Sequence, residues 1–254
     1  MSQYYKAQRK RNLYDPSSKG LYKLSRSKLD LFLNCPRCFY LDRRVGIGQP
    51  PGYPFSLNSA VDTLLKKEFD HYRLLQAPHP LQIENNIDAI PFLHSELDVW
   101  RDSLRRGIQF QVPNTNIVLT GGVDDVWIST KTSELIIVDY KATSKLEAVS
   151  IDADWQIGYK RQAEIYQWLF RQNGFTVSNT AYFVYCNART DLERFDQNLK
   201  FSISLLPYVG NTDWVMNAVY ATYQCLRLDQ IPKRVDTCDF CEYTRALEKL
   251  DNLG

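Results

Sequence analysis

Asp124, Asp139 and Lys141 stand in a stretch that otherwise reads as a β-hairpin, and their types suit phosphate chemistry. Two carboxylates, with the backbone carbonyl of Tyr140 between Asp139 and Lys141, make an oxygen-rich group fit for a hard divalent cation such as Mg²⁺ or Mn²⁺. The lysine beside them would hold an attacking water or counter charge on a phosphate. Alone, Asp-x-Lys also describes a solvated salt bridge at a strand end, so the surrounding elements decide its weight.

The first arm carries apolar Val123, Val126 and Ile128, the second is the continuous apolar run Leu135 to Val138, and polar Ser129 to Glu134 make the turn. Side chains alternate along a strand, so Asp139 and Lys141 share one face and Tyr140 takes the other. Downstream, Trp155 to Asn173 has the period of an amphipathic helix, with Gly174 as its C-cap. Gln162 and Tyr166, four apart, lie on one face of that helix, and Lys160 and Arg161 beside them are candidates for nucleic-acid backbone contacts.

Ile108 to Val112 and Ile117 to Leu119 read as strands feeding the hairpin, and Thr180 to Tyr185 and Leu199 to Leu205 as strands after the helix. Strands, then a helix, then a strand predict an α/β domain with a crossover and a central mixed sheet flanked by helices. A helix is expected from Ser25 or Ser27, broken at Pro36, which opens a second short helix through Arg44. Gly46 to Pro54 reads as a loop, and Ala60 to Tyr72 as a helix carrying Asp62. Further helices are expected around Ser95 to Arg105 and over Trp214 to Leu228. His79 and His94 have no ligand spacing and are expected at the surface.

Four of the six cysteines form two Cys-x-x-Cys pairs, Cys35 with Cys38 and Cys238 with Cys241. Each pair can bring two sulfurs to one metal, and four thiolates suit either a structural Zn²⁺ or a [4Fe-4S] cluster. Such a clasp would join the N- and C-terminal ends of the chain, since metal binding favours only the folded state.

Together these motifs resemble the PD-(D/E)XK nuclease superfamily, RecB-like and CRISPR-associated exonucleases in particular. Val138-Asp139-Tyr140-Lys141 resembles the second half of the family's motif, Gly121-Gly122-Val123-Asp124-Asp125 the segment before it, and Gln162 with Tyr166 its Gln-x-x-x-Tyr motif. Leu24 to Leu29 and Phe32 to Leu41 resemble its opening, so the likeness spans roughly residues 22 to 246. It implies a restriction-endonuclease-like core and metal-dependent hydrolysis of DNA phosphodiesters, with Asp124, Asp139, Lys141, Gln162 and Tyr166 catalytic.

The sequence departs from the family in three places. Asp125 stands where arginine is usual. Asp62 stands where many RecB-like members have a catalytic histidine, and a carboxylate there would bind Mg²⁺ or Mn²⁺ directly or lie plainly on the surface. Iron–sulfur members typically use one cysteine before the core and three after it. Here the last is missing, and Cys38 would supply the fourth ligand, which keeps zinc open beside iron–sulfur.

The resemblance implies DNA with free ends or single strands as substrate, in repair, recombination or CRISPR-type defence, with protein partners in such a complex. The alternative on the same fold is an inactive nucleic-acid-binding module or scaffold.

With 31 basic and 29 acidic residues and a formal charge of +2, the 254-residue chain lacks the overall basic field of a passive nucleic-acid binder, so any DNA groove must be local. Its 44% apolar content is enough to fill one large core. Residues 1–20 read as a flexible basic arm with Lys6, Arg9, Lys10 and Arg11, and residues 21–254 as a single nuclease-like domain. Met1 to Asn12 lacks the apolar core of a signal peptide and no segment is long and apolar enough to cross a bilayer, so a cytoplasmic protein without a membrane partner is expected.

Overall fold

The computed structural model describes residues 8–50, 52 and 56–251. In chain order the elements are β1 (Tyr22–Ser25), α1 (Arg26–Asn34), α2 (Pro36–Tyr40), a π-helical turn (Leu41–Val45), α3 (Ser56–Leu75), α4 (Pro80–Glu84), β2 (Ala89–Pro91), α5 (Leu97–Arg101), β3 (Ile108–Gln111) and β4 (Ile117–Gly121). There follow β5 (Asp125–Ser129), β6 (Leu135–Thr143), α6 (Ile157–Gln172), β7 (Thr180–Ala188), β8 (Phe201–Val209), α7 (Asp213–Leu226) and α8 (Asp239–Asp251). The chain divides into two compact units, and it passes from one to the other and back within the β3 and β4 hairpin.

The larger unit, residues 54–110 and 120–212, holds a five-stranded sheet in the order β2-β5-β6-β7-β8. β5 and β6 are the expected hairpin, antiparallel with Val126 opposite Ile137 and Ile128 opposite Leu135. β6 and β7 run parallel, Asp139 opposite Phe183 and Lys141 opposite Tyr185, and such a pair needs a crossover, which α6 supplies. β7 and β8 are antiparallel, so the sheet is mixed. The run Leu135–Val138 is unbroken in hydrophobicity because helices cover both faces of the sheet there.

Val138 and Tyr140 turn toward a core built on Phe69 and Leu65 of α3 with Trp127. The alternate residues Asp139 and Lys141 turn to the face of α6. These are helices on a mixed sheet, the α/β restriction-endonuclease-like core that the sequence led us to expect.

Two local readings are corrected in this unit. His79 is buried rather than at the surface, 6% exposed. Its Nδ1 accepts the Leu81 amide at 3.0 Å as the N-cap of α4, its Nε2 lies 2.9 Å from Glu68, and its ring stacks on Phe69. The first arm of the hairpin starts later than its apolar pattern suggested, at Asp125, because the Val123 amide bonds to the Trp100 carbonyl outside the sheet.

The smaller unit, residues 1–53, 111–119 and 213–254, is mostly helical. Ser25 occupies the N-cap position of α1, but its hydroxyl lies 3.0 Å from that of Ser27 and caps no amide. Residues 1–7 of the expected arm, Lys6 among them, lie outside the described residues. Beyond them the Arg9 amide donates to the Gly46 carbonyl at 2.8 Å and the Arg9 guanidinium pairs with buried Asp42. Tyr14 is 2% exposed, edge-on to Tyr22 and Tyr223. α8, which begins between Cys238 and Cys241, had no counterpart in the sequence reading.

Candidate functional site

β6 carries two of the candidate residues, and its period of two delivers Asp139 and Lys141 to one side. Asp139 is 1% exposed, and no donor other than the Lys141 ammonium reaches its carboxylate among the described residues. The Lys141 ammonium is its ion-pair partner. Burial alone would lower the Lys141 pKa, but the charges of Asp139 and Asp124 outweigh it and hold the ammonium above its ordinary range. The same ammonium donates to Gln162 Oε1 at 3.3 Å and sits 4.4 Å from the centre of the Tyr159 ring.

Asp124 closes on this pair from the start of the hairpin. Its Oδ2 accepts the Tyr140 amide at 3.0 Å, which fixes the carboxylate beside β6. Loss of solvation among packed neighbours, then the negative charge of Asp139, push Asp124 up to about 6. Two carboxylates that repel one another, one of them buried and countered by the Lys141 ammonium, form a donor set suited to a hard divalent cation.

From α6, Gln162 Nε2 donates to the Tyr166 hydroxyl at 3.3 Å, so Asp139, Lys141, Gln162 and Tyr166 form one continuous line of contacts. Gly121 makes room for it, since a Cβ there would come within 2.5 Å of Tyr166 Cε1. Asp62, on α3, reaches the edge of the group through Lys66, whose ammonium lies 2.8 Å from Asp62 and 3.7 Å from Asp124. Lys160 is engaged elsewhere, 3.5 Å from Asp152 and 5.8 Å from the centre of the Tyr208 ring. Arg161 is half-buried on the same helix.

Behind the site is a charged cluster that the sequence reading did not assemble. Asp125, 0% exposed, pairs with Arg73 and Arg101, and its Oδ2 accepts the Tyr140 hydroxyl at 2.8 Å. Asp70 receives both guanidinia from the other side. Burial, then the charge of Asp125, hold the Tyr140 phenol well above its ordinary pKa. Tyr140 thus ties β6 to both aspartates, by its amide to Asp124 and by its hydroxyl to Asp125. Lys66 and Tyr159 were likewise missed; Lys66 was signalled only by standing four residues after Asp62 on one helix face.

A model of the PD-(D/E)XK nuclease superfamily matches residues 23–246, nearly the whole chain and every residue of this site. The chain belongs to that superfamily. Its nucleases typically use divalent metals, and the carboxylate pair here offers donors of the right kind. No curated protein matches the chain. A solved structure described as "Crystal structure of SSO0001" is similar over 91% of this chain and 87% of that one, at 12% identity and a TM-score of 0.41.

In the smaller unit the four paired cysteines also converge, as the spacing suggested. Cys35, Cys38 and Cys241 are buried and Cys238 half-buried, and all four sulfurs lie within 4.8 Å of one another. Leu31 and Val235 pack against them. Burial pushes the Cys35 and Cys38 thiols up, so ionising them without a cation is unfavourable. Their arrangement is compatible with a bound metal. No helix among the described residues is long and apolar enough to cross a membrane.

Proposed function

We propose that this member of the PD-(D/E)XK superfamily is a metal-dependent DNA nuclease that hydrolyses phosphodiester bonds. What carries the reading is Asp139, buried and paired with the Lys141 ammonium, with the Asp124 carboxylate fixed beside them by the Tyr140 amide. Bound between Asp124, Asp139 and the Tyr140 carbonyl, Mg²⁺ or Mn²⁺ would polarise the phosphate and lower the pKa of an attacking water. Lys141 orients that water and offsets the charge that develops on the phosphoryl oxygens. Gln162 holds the lysine by its carboxamide oxygen, and Tyr166 holds Gln162. Asp62 adds a further ligand once Lys66 turns away from it, and Lys160 and Arg161 contact the DNA backbone.

The substrate in this reading is a single strand or a DNA end, cut exonucleolytically. Trp155, 61% exposed, stands edge-on to Tyr159, which touches Lys141, so an aromatic surface for unpaired bases adjoins the reacting groups. DNA repair and CRISPR-type defence both present such ends, with RecB-like nucleases as the parallel and protein partners to deliver them. In this reading the setting is cytoplasmic, where reduced cysteines stay available to a metal.

The test is incubation with end-labelled single- and double-stranded DNA, with Mg²⁺, with Mn²⁺ or with chelator, beside Lys141→Ala. Cutting that needs metal and is lost in the variant is the expected result, and the product ladder reports polarity. Binding of DNA by both proteins without cutting by either would overturn the enzyme reading in favour of an inactive binding module.

A further inference from the structure

The distances among the four sulfurs discriminate between the two kinds of metal centre that their number allows. Cys35 Sγ lies 3.6 Å from Cys241 Sγ, Cys38 Sγ lies 3.6 Å from Cys238 Sγ and 4.0 Å from Cys241 Sγ, and no pair exceeds 4.8 Å. Four thiolates at the usual zinc–sulfur distance of about 2.3 Å occupy the corners of a tetrahedron whose edge is about 3.8 Å. The observed spacings bracket that edge. A [4Fe-4S] cluster bonds each thiolate to a different iron at a different corner of the cube, so the four sulfurs must be separated by the cube as well as by their own bonds. Sulfurs this close leave no room for the cube among them.

The surroundings agree. Cys35, Cys38 and Cys241 are 1%, 8% and 3% exposed, Cys238 is half-buried, and Leu31 and Val235 pack against the group. Within the first pair the Cys38 amide donates to Cys35 Sγ at 3.4 Å, so the chain folds back on the leading sulfur and sets the second beside it. In the second pair the Glu242 amide donates to the Cys238 carbonyl at 3.0 Å, so the chain turns back after the leading cysteine there too. Two such turns facing each other give a two-plus-two ligand set.

We infer that the four-cysteine site holds one tetrahedrally coordinated ion of the zinc class, a structural clasp between Cys35-x-x-Cys38 and Cys238-x-x-Cys241, and not an iron–sulfur cluster. The inference does not depend on the nuclease reading, because it is read from metal content alone.

The full chain is purified without oxygen, so that an air-sensitive cluster would survive, from cells supplied with both zinc and iron, and zinc, iron and acid-labile sulfide are counted. About one equivalent of zinc, with neither iron nor sulfide and no broad visible absorption, is expected. Replacing zinc by Co²⁺ should give the intense absorption bands of a tetrahedral tetrathiolate, a readout on the unaltered chain that stands even if Cys38→Ser or Cys241→Ser fails to fold. Iron with matching sulfide, or a protein that retains neither metal, would overturn the inference. So would a metal-stripped chain that takes up iron and sulfide in preference to zinc when offered all three.

Discussion

Asp125→Asn keeps the shape of a buried side chain and removes its charge, which isolates what the cluster behind the candidate site is worth. In the native chain Asp125 is wholly buried and opposes Arg73, 3% exposed in its side chain, and Arg101, 11% exposed. Asp70 also pairs with both arginines, but its side chain is 41% exposed, so its charge is screened by water. The substitution therefore leaves two nearly buried guanidinia facing one half-solvated carboxylate. Removing one partner of a buried ion pair costs about 3–5 kcal/mol. Because Asp70 remains, the lower end applies, about 3 kcal/mol. At roughly 2–4 °C per kcal/mol for a chain of this size, Tm should fall by roughly 6–12 °C.

Urea unfolding followed by tryptophan fluorescence is the assay, since Trp127 is 0% exposed and lies in the same strand. Asp88→Asn serves as the comparison, because its pair with Lys131 is exposed at both ends and should be worth less than about 1 kcal/mol. If Asp125→Asn costs no more than Asp88→Asn, the cluster does not hold the hairpin and the reasoning fails.

The two glycines before Asp124 should respond differently to alanine. At Gly122 a Cβ would meet the Ser103 backbone, 2.6 Å from its Cα and 2.8 Å from its nitrogen, so Gly122→Ala should cost about 1–3 kcal/mol or more in urea unfolding. At Gly121 it would strike the Tyr166 ring, so Gly121→Ala should lower kcat by displacing Tyr166 and Gln162 while leaving Mn²⁺ affinity unchanged, which calorimetric titration would check. Lys66→Met removes an ammonium that competes for Asp62 and Asp124. A partly exposed pair is worth about 1 kcal/mol, so Mn²⁺ should bind roughly fivefold tighter. Unchanged or weaker binding would show that Lys66 does not compete for the site.

Most of the candidate site's arrangement was legible in the sequence because its parts are local or periodic. Leu135–Val138 announced a covered strand, alternation placed Asp139 and Lys141 together, and the four-residue step from Gln162 to Tyr166 put both on one helix face. The cysteine pairs were legible from spacing, although nothing in the spacing gave the sulfur distances. What stayed hidden depends on contacts across the chain. Asp125 meets Arg73 52 positions away and Arg101 24 positions away, and no local pattern links them. His79 reads as a polar residue in an irregular stretch until Phe69 covers its ring and Leu81 uses its nitrogen.

Adjacent aspartates with opposite tasks explain how this chain accommodates its departure from the family pattern at position 125. Asp124 turns to the site, where Lys66 and Lys141 are its cations; Asp125 turns into the core, where Arg73 and Arg101 are. Tyr140 holds both, so β6 cannot shift along the hairpin without breaking a bond to each. The guanidinia around position 125 come from Arg73 on α3 and Arg101 on α5, and the two arginines and two aspartates of the cluster cancel. An arginine at 125 would place a third guanidinium beside Arg73 and Arg101 with only Asp70 to oppose them. The identity of residue 125 and the presence of those two arginines are therefore one choice, and it is made in the core, one residue away from the carboxylate proposed to bind the metal.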